Sequence, residues 1–456
     1  MSSASRENFG SSFTFIMAMA GSAIGLGNIW RFPYMVGEYG GAAYIVAYML
    51  CSLLIALPCF VCESLIGRRA RSGVYVAFGK LAPGSAWPVM GIIAVFAAYV
   101  IESFYCVVGG WSLDFLVRSV SGHLALGNPE AATGIFSKMA TGVLEPVVMY
   151  LVFFGVTTLV VLGGVKKGIE RFTKITTPLL FLLMVVMLIY SVSLPGAGEG
   201  VRYLVRPDFS KLNAHGWASA LGQAFFSMSL GVGTVLIYSS FMRKDDSLLR
   251  GGFWTAVSDS AFALIAAFAI MPAVFSAGLE PSAGPSLVYE TLPYIFAKMG
   301  VEAPVLSGII TIVFFLAILM AALTSSISMV EVCVEHLMEQ FGWKRRASAA
   351  VFATAVVALG IPCVLSFGPW SGVRLFGLTV FDICDYVTSN VLMMLGSLAF
   401  TVFVGWRMSK VDVRDEFTNG GTLTFSGRVF GVFRFIVRWI IPPAILVIFV
   451  ANLIGA

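Results

Sequence analysis

The chain has 456 residues, of which 58% are hydrophobic and only 12% charged, with 29 Lys and Arg against 24 Asp and Glu. A soluble domain carries about a quarter charged residues, so this balance excludes a soluble enzyme and a disordered chain. The net charge of +5 is too small and too dispersed for a nucleic-acid surface, which leaves an all-α polytopic membrane protein embedded in a lipid bilayer.

The opening stretch MSSASRENFGSS is polar and lacks a basic region followed by a small-residue cleavage site, so residues 1–12 read as a cytoplasmic arm and not as a signal peptide. A spanning helix needs about 20 mostly apolar residues. Eleven such runs follow, near 13–37, 41–67, 87–118, 145–164, 176–194, 217–241, 251–277, 304–334, 347–366, 375–406 and 436–454. They divide into five spans over 13–194, five over 217–406, and a last span at 436–454. Most Lys and Arg cluster in alternate connections, as in Arg68, Arg69, Arg71 and Lys80, in Lys166, Lys167, Arg171 and Lys174, and in Lys344, Arg345 and Arg346. By the positive-inside rule the N-terminus is expected in the cytoplasm and the C-terminus outside, in a cell (inner) membrane. The seven cysteines lie mostly in apolar stretches and are not a secreted disulfide framework. Cys59 and Cys62 form a C-x-x-C, but inside LLIALPCFVCESLIG, where two small apolar residues one turn apart are the simpler reading. His123, His215 and His336 have no ligand spacing.

Two spans break the helix rule in corresponding places. The first reads AMAGSAIGLGNIWRFP, with Gly21, Gly25 and Gly27 followed by Pro33. The sixth reads GQAFFSMSLGVGTVL, with Gly231 and Gly233. Glycine costs a helix interior about 1 kcal/mol relative to alanine. Unwound backbone survives at membrane depth only where it is buried in protein or lines a cavity. Each broken span opens a group of five, the mark of a 5+5 inverted repeat with its site at the two breaks. Close helix packing is the other reading of these glycines.

Ionisable groups inside spans are functional candidates by default. Here they are Arg31, Glu63, Glu102, Asp114, Asp259, Glu331, Glu335, Asp382 and Asp385. Glu102 and Asp114 read as structural or interfacial. Arg31 and Asp385 fall in the outer halves of their spans with opposite sign. In LMAALTSSISMVEV, Thr324, Ser325, Ser326 and Ser328 supply hydroxyls, some of which are expected to bond back to their own helix. With carbonyls from a broken span they make a hard-oxygen site suited to Na⁺ rather than to a transition metal. Bare N–H groups at half-helix N-termini attract a carboxylate. The residues alone thus describe a transporter of a small anionic or zwitterionic solute, with a cation site beside it. No G-x-x-x-x-G-K-[ST] is present for nucleotide hydrolysis. No nucleophile with a base stands ready, so an enzyme is not expected. A channel and a Na⁺-dependent amino-acid sensor that binds without transport are the rival classes.

GSAIGLGNIWRFP, GQAFFSMSLGVG, ALTSSIS, KGIERF and YSSFMRKD together resemble the neurotransmitter:sodium symporter family, bacterial amino-acid branch, over nearly the whole chain. The resemblance implies a LeuT-type fold of about eleven transmembrane helices with helices 1 and 6 broken. It implies Na⁺-coupled import of neutral, hydrophobic or aromatic L-amino acids, with no obligate protein partner and no nucleic acid. The first of two Na⁺ sites would use Ala23, Asn28, Ser227 and Asp259; a one-residue ambiguity leaves Ser258 as the alternative to Asp259. The fixed charge of Asp259 would replace chloride, which is not expected as a cofactor. The second site would use Gly21, Ile24, Ala321, Thr324 and Ser325. Leu26, Gly27 and Tyr105 would hold the substrate carboxylate, and Ala23, Phe226, Ser227 and Ser229 its ammonium. Gly25 would leave room for that carboxylate, and Ser22, Ile101, Phe226, Val232, Ser325 and Met329 would form the side-chain pocket. Arg31 with Asp385, beside Gln223, would gate the outer side. Arg6 with Glu339 would latch the inner side. Glu63 resembles a carboxylate that braces the breaks, and Gly168 with Pro178 a pattern that lets the inner end of span five unwind.

Overall fold

The computed structural model describes residues 7–124, 127–279, 287–423 and 427–454. Nine helices are long and apolar enough to cross a membrane among these residues. One bent pair, α1 (Ser12–Ala23) and α2 (Gly27–Glu38), crosses as a single broken span with a 56° bend. In chain order the next are α3 (Ala42–Ala70), α4 (Pro88–Ser121), α5 (Leu144–Leu162) and α6 (Val165–Val192). A second broken span follows, α7 (Ala214–Ser227) and α8 (Thr234–Ser240). Then come α9 (Leu248–Ser276), α10 (Pro304–Phe341), α11 (Arg345–Leu365), α12 (Val380–Arg407) and α13 (Gly427–Val450). Short helices at Val74–Leu81, Pro129–Ala140, Ala197–Val205, Leu292–Gly300 and Lys410–Phe417 lie in the connections.

Burial sorts the helices into layers. The apolar stretch of α4 is 72% buried and that of α9 67%, whereas that of α13 is only 28% buried. The central helices therefore face protein over most of their surface, whereas α13 leaves most of its apolar surface uncovered by protein, as a lipid-facing helix would. Local signals set the ends. Ser11 caps α1 through a reciprocal box, its hydroxyl accepting from the Thr14 amide while the Thr14 hydroxyl accepts from the Ser11 amide. Gly342, at φ 68°, ends α10.

The helices overrun several of the apolar runs. α6 begins at Val165 and α13 at Gly427, not near 176 and 436. The reason is the same in both. Charged segments such as KKGIER extend a helix into the interfacial layer, where their side chains reach water, so an apolar count starts too late. α6 is wound through Gly168 and Pro178. Gly168 lies against the Val160 carbonyl of α5, at a spot that a Cβ would occupy.

Candidate functional site at the two helix breaks

Both breaks expose backbone and then satisfy it with specific side chains. After α1, Ile24 is extended at φ −76°, ψ 101°. The Leu26 amide donates to the Tyr105 hydroxyl of α4 at 3.3 Å, and the Gly25 amide to Asn28 Oδ1 at 3.4 Å. After α7 the chain turns through positive φ at Ser229 (52°), Gly231 (84°) and Gly233 (81°). Glycine takes that conformation without strain; serine does not. The Ser229 hydroxyl anchors the turn by donating to the Ser22 carbonyl at 3.1 Å. The Gly231 amide donates to Glu63 Oε1 of α3 at 2.6 Å, so Glu63 holds the second break open. Gly231 also abuts the Met393 carbonyl of α12, leaving no space for a Cβ.

Asp259 of α9 is fully buried, yet it collects three donors. Asn28 Nδ2 reaches Oδ1 at 2.8 Å, Ser227 Oγ reaches the same oxygen at 2.6 Å, and Tyr48 Oη reaches Oδ2 at 2.8 Å. Ser227 stands 3.1 Å from Asn28 Oδ1 as well. The cluster joins both breaks to α9 and α3, and it is Asp259, not the half-buried Ser258, that faces it. Its donor set of carboxylate, amide and hydroxyl oxygens fits a hard cation. Tyr48 was not anticipated; nothing in its apolar run YIVAYMLC marks it.

A second set of oxygens lies between α1 and α10. The Ser325 hydroxyl donates to the Ser22 and Ile24 carbonyls at 3.2 and 3.4 Å. The Thr324 hydroxyl bonds back to the Met320 and Ala321 carbonyls, both at 3.1 Å, and keeps its lone pairs as acceptors. Gly21 packs against Thr324 and against the Thr177 hydroxyl, which a Cβ would meet at 2.7 Å. All these oxygens are neutral, which fits a monovalent ion and not Ca²⁺.

Between the two sets lies a chamber of about 30 Å³, lined by every expected substrate residue except Ser22, and also by Asn28. Ser22 contributes its carbonyl to the turn at Ser229, while its hydroxyl donates to Ser328 at 2.8 Å and leaves the chamber wall. Met393 of α12 lines the chamber unforeseen. A Cβ on Gly25 would meet Ser325 Oγ at 2.7 Å and Tyr105 Oη at 3.2 Å, so any side chain there would fill the space. Phe226 and Tyr105 line both this chamber and a vestibule of about 340 Å³ above it, and so form the floor between them. Arg31, Asp382 and Asp385 line the vestibule. Arg31 lies 5.6 Å from the Phe226 ring centre, and Asp385 accepts from the Ser389 hydroxyl at 3.0 Å. Among the described residues Arg31 and Asp385 make no ion pair with each other. Gln223 is fully buried and donates to the Gly27 carbonyl at 3.0 Å.

The opposite end is shut by ion pairs and aromatic packing. Arg345 binds Glu331 at 2.6 Å and Glu335 at 2.9 Å. Arg68 binds Glu416 at 2.5 Å and the Asp246 carbonyl at 2.8 Å. Phe9 is buried against Phe15, with ring centres 5.7 Å apart, and Tyr238, at 6.0 Å. Arg6 lies outside the described residues. Glu339 accepts from the Gly73 amide at 2.7 Å.

A family model described as the sodium:neurotransmitter symporter family matches residues 6–137 and 133–456. The sodium-dependent transporter YhdH of Bacillus subtilis is 39% identical over 457 residues, covering 100% of this chain and 99% of its own. A sodium-dependent transporter of Haemophilus influenzae is 34% identical, covering 98% of both. Among solved structures, that of MhsT in complex with L-phenylalanine is 40% identical with a TM-score of 0.90, covering 98% of this chain and 100% of that one.

Proposed function

The chain belongs to the sodium:neurotransmitter symporter family, multi-pass membrane transporters that use Na⁺ and are not enzymes, and from that premise we propose that it imports neutral, hydrophobic or aromatic L-amino acids with two Na⁺ ions by alternating access. The observation that carries this reading is the chamber between the breaks. Apart from Asn28 and Ser325, which belong to the candidate ion sites, its polar groups match an amino acid's two charged ends: the Leu26 and Gly27 backbone with Tyr105 for the carboxylate, and Ser229, Ser227 and nearby carbonyls for the ammonium. No charged side chain lines it, so a charged substrate side chain would find no partner. The chamber holds only a water or two as it stands. Entry of a large side chain therefore requires Phe226 to swing and Val232, Met329 and Met393 to give way. The bound L-phenylalanine of MhsT supports the same side-chain class.

In this reading one Na⁺ travels at Asn28, Ser227 and Asp259, and the other at Ile24, Thr324 and Ser325. Asp259 supplies the fixed negative charge beside the first ion, so replacing chloride by gluconate leaves uptake unchanged. A tenfold Na⁺ gradient is worth about 1.4 kcal/mol, and 100 mV adds about 2.3 kcal/mol per charge. Two ions thus supply roughly 7 kcal/mol, enough for about five decades of accumulation under tight coupling. The N-terminus lies in the cytoplasm, and Arg31 with Asp385 faces outward.

Uptake of radiolabelled neutral amino acids into proteoliposomes tests the proposal. Accumulation is expected only under an inward Na⁺ gradient. Saturable Na⁺-dependent binding with no accumulation would turn the reading into a sensor. Thr324→Val with Ser325→Ala is expected to raise the Na⁺ concentration for half-maximal uptake roughly tenfold. An unchanged Na⁺ response would remove the second site.

A further inference from the structure

The end of the bundle where Arg68 and Arg345 lie carries a second basic cluster, which ion pairing does not account for. α12 closes there and α13 opens there. Their facing turns, Phe403–Arg407 and Ile436–Ile440, are both wound as π-helix. The acidic residues of the connection between them, Asp412, Asp415 and Glu416, are taken by Arg68 and Arg69 of α3. Among the described residues Arg407, Arg428, Arg434 and Arg438 of α12 and α13 are left with no acidic partner.

The positive-inside rule explains arginines that stand in water at such an end. Arg407 and Arg428 are exposed and need no more than that. Arg434 and Arg438 are half-buried and four residues apart on α13. Arg438 crosses to α12. Its Nε donates at 2.5 Å to the Gly405 carbonyl, one of the last carbonyls of that helix and so without a helical partner, and its guanidinium lies 5.9 Å from the Trp406 ring centre. Arg434 makes no such contact. Its Nη1 is buried with no hydrogen-bond partner, and its other guanidinium nitrogens have no acceptor among the described residues. A cation partly withdrawn from water without an acceptor is costly, and an anion would remove the cost.

The surroundings say which anion. Trp406 and Trp439 are both exposed beside the arginines and meet edge to face, with ring centres 5.7 Å apart. Exposed tryptophan on a spanning helix marks the headgroup layer. Further along α13 the surface is apolar and open, with Ile440, Leu446, Val447 and Val450 exposed. A phosphate held at the arginines would therefore lie at headgroup depth, with acyl chains running along that surface. A free ion would gain nothing from the tryptophans or the apolar face. We propose that the groove between α12 and α13 binds an anionic phospholipid, its phosphodiester on Arg434 and Arg438 and its glycerol and acyl chains against Trp406, Trp439 and the open face of α13. The headgroup is anionic because a net-neutral one would leave the arginine excess uncompensated. The site is independent of the substrate and ion readings above. In the proposed orientation it faces the cytoplasmic leaflet.

The test is native mass spectrometry of the purified full chain in detergent, titrated with phosphatidylglycerol, with phosphatidylcholine of the same acyl chains, and with inorganic phosphate, alongside thermal unfolding of the same samples. Phosphatidylglycerol is expected to give saturable adducts and a higher Tm, phosphatidylcholine weaker adducts, and inorganic phosphate neither. Arg434→Met keeps the apolar stem and removes the charge. It is expected to weaken phosphatidylglycerol binding roughly fivefold. Without lipid it is expected to unfold at or above the parent's temperature, because the charge it removes has no partner in the protein. Arg428→Met removes the same charge from an exposed position and is expected to bind the lipid as the parent does. Equal binding of the two lipids, parent-like binding by Arg434→Met, or an equal loss in Arg428→Met would each overturn the proposal. A clear fall in the Tm of lipid-free Arg434→Met would overturn it too, since the side chain would then already have its partner within the protein. Inorganic phosphate bound as tightly as the lipid would make this a free-anion site and overturn the lipid as its occupant.

Discussion

Arg31 and Asp385 line the same vestibule, at the end proposed to face outward, without pairing among the described residues, and Arg31 rests instead near the Phe226 ring. At the inner end Arg345 grips two glutamates of α10, and Arg68 is tied to Glu416, Asn419 and the backbone of Asp246. The two ends use the same residue types and reach opposite outcomes. An unpaired arginine lining a vestibule open to solvent loses little, because water can solvate it. An unpaired arginine among packed helices would be costly. Charge pairing therefore closes the end where Arg345 and Arg68 lie; in the proposed reading Arg31 and Asp385 would close the other in turn. The molecule is open toward one side down to the Phe226–Tyr105 floor and sealed on the other. That is the asymmetry expected of a carrier with two gates that close alternately, and not of a continuous pore.

Breaking the inner end is expected to give the largest effect. Glu331 is fully buried, and Arg345 is its only cation among the described residues. Arg345→Ala strands that charge and is expected to destabilise the fold by about 3–5 kcal/mol. Thermal unfolding in detergent would register this as a large fall in Tm. Exchange of Arg345 for Met together with Glu331 and Glu335 for Leu is expected to recover most of that loss, because no charge of this cluster is then left buried. A single variant as stable as the parent would show that the inner pairs do not hold the closed state.

The outer end is expected to respond in activity rather than stability. Asp385→Ala removes a carboxylate that, among the described residues, is bonded only to Ser389 on its own helix. Its unfolding temperature is expected to match the parent's, while uptake falls roughly tenfold, about 1.4 kcal/mol in the barrier. Normal uptake would count against a gate at Arg31 and Asp385.

Legibility in the sequence followed the cost of each residue. Asp259 stood out because an ionisable group in an apolar run needs a reason, whereas Asn28 and Ser227 were reached only through the family resemblance. Gly25, Gly231 and Gly233 stood out because they interrupt a helix. Met393 and Tyr48 were silent: each is an ordinary residue in an apolar run, and it reaches the site only through a fold that brings α12 and α3 against the breaks. Ser22 misled for the opposite reason. It sits in the right segment, but its hydroxyl turns to Ser328, a choice made by side-chain rotation and not by spacing. Glu331 and Arg345 were each visible as charges. Their pairing depends on Gly342 turning the chain between α10 and α11, which no periodicity encodes.

Arg69 sharpens the comparison from the smallest side. It lies one residue from Arg68 and faces Asp412 and Asp415, the latter at 2.8 Å, so by proximity it resembles the inner latch. Its side chain is 35% exposed, however, against 6% for Arg68, and its two nearest acidic partners are 39% and 48% exposed; the more buried Glu416 lies farther off, at 3.6 Å. Water screens such pairs, and holding two long side chains together costs entropy that offsets much of the attraction. Arg69→Ala is therefore expected to change stability by about 0–1 kcal/mol, and the difference should vanish in 1 M salt, where the screening length falls to about 3 Å. Arg68→Ala is expected to cost clearly more and to keep most of that cost in salt. A loss at Arg69 equal to that at Arg68, and equally insensitive to salt, would show that the inner end is held by the number of its ion pairs and not by their burial.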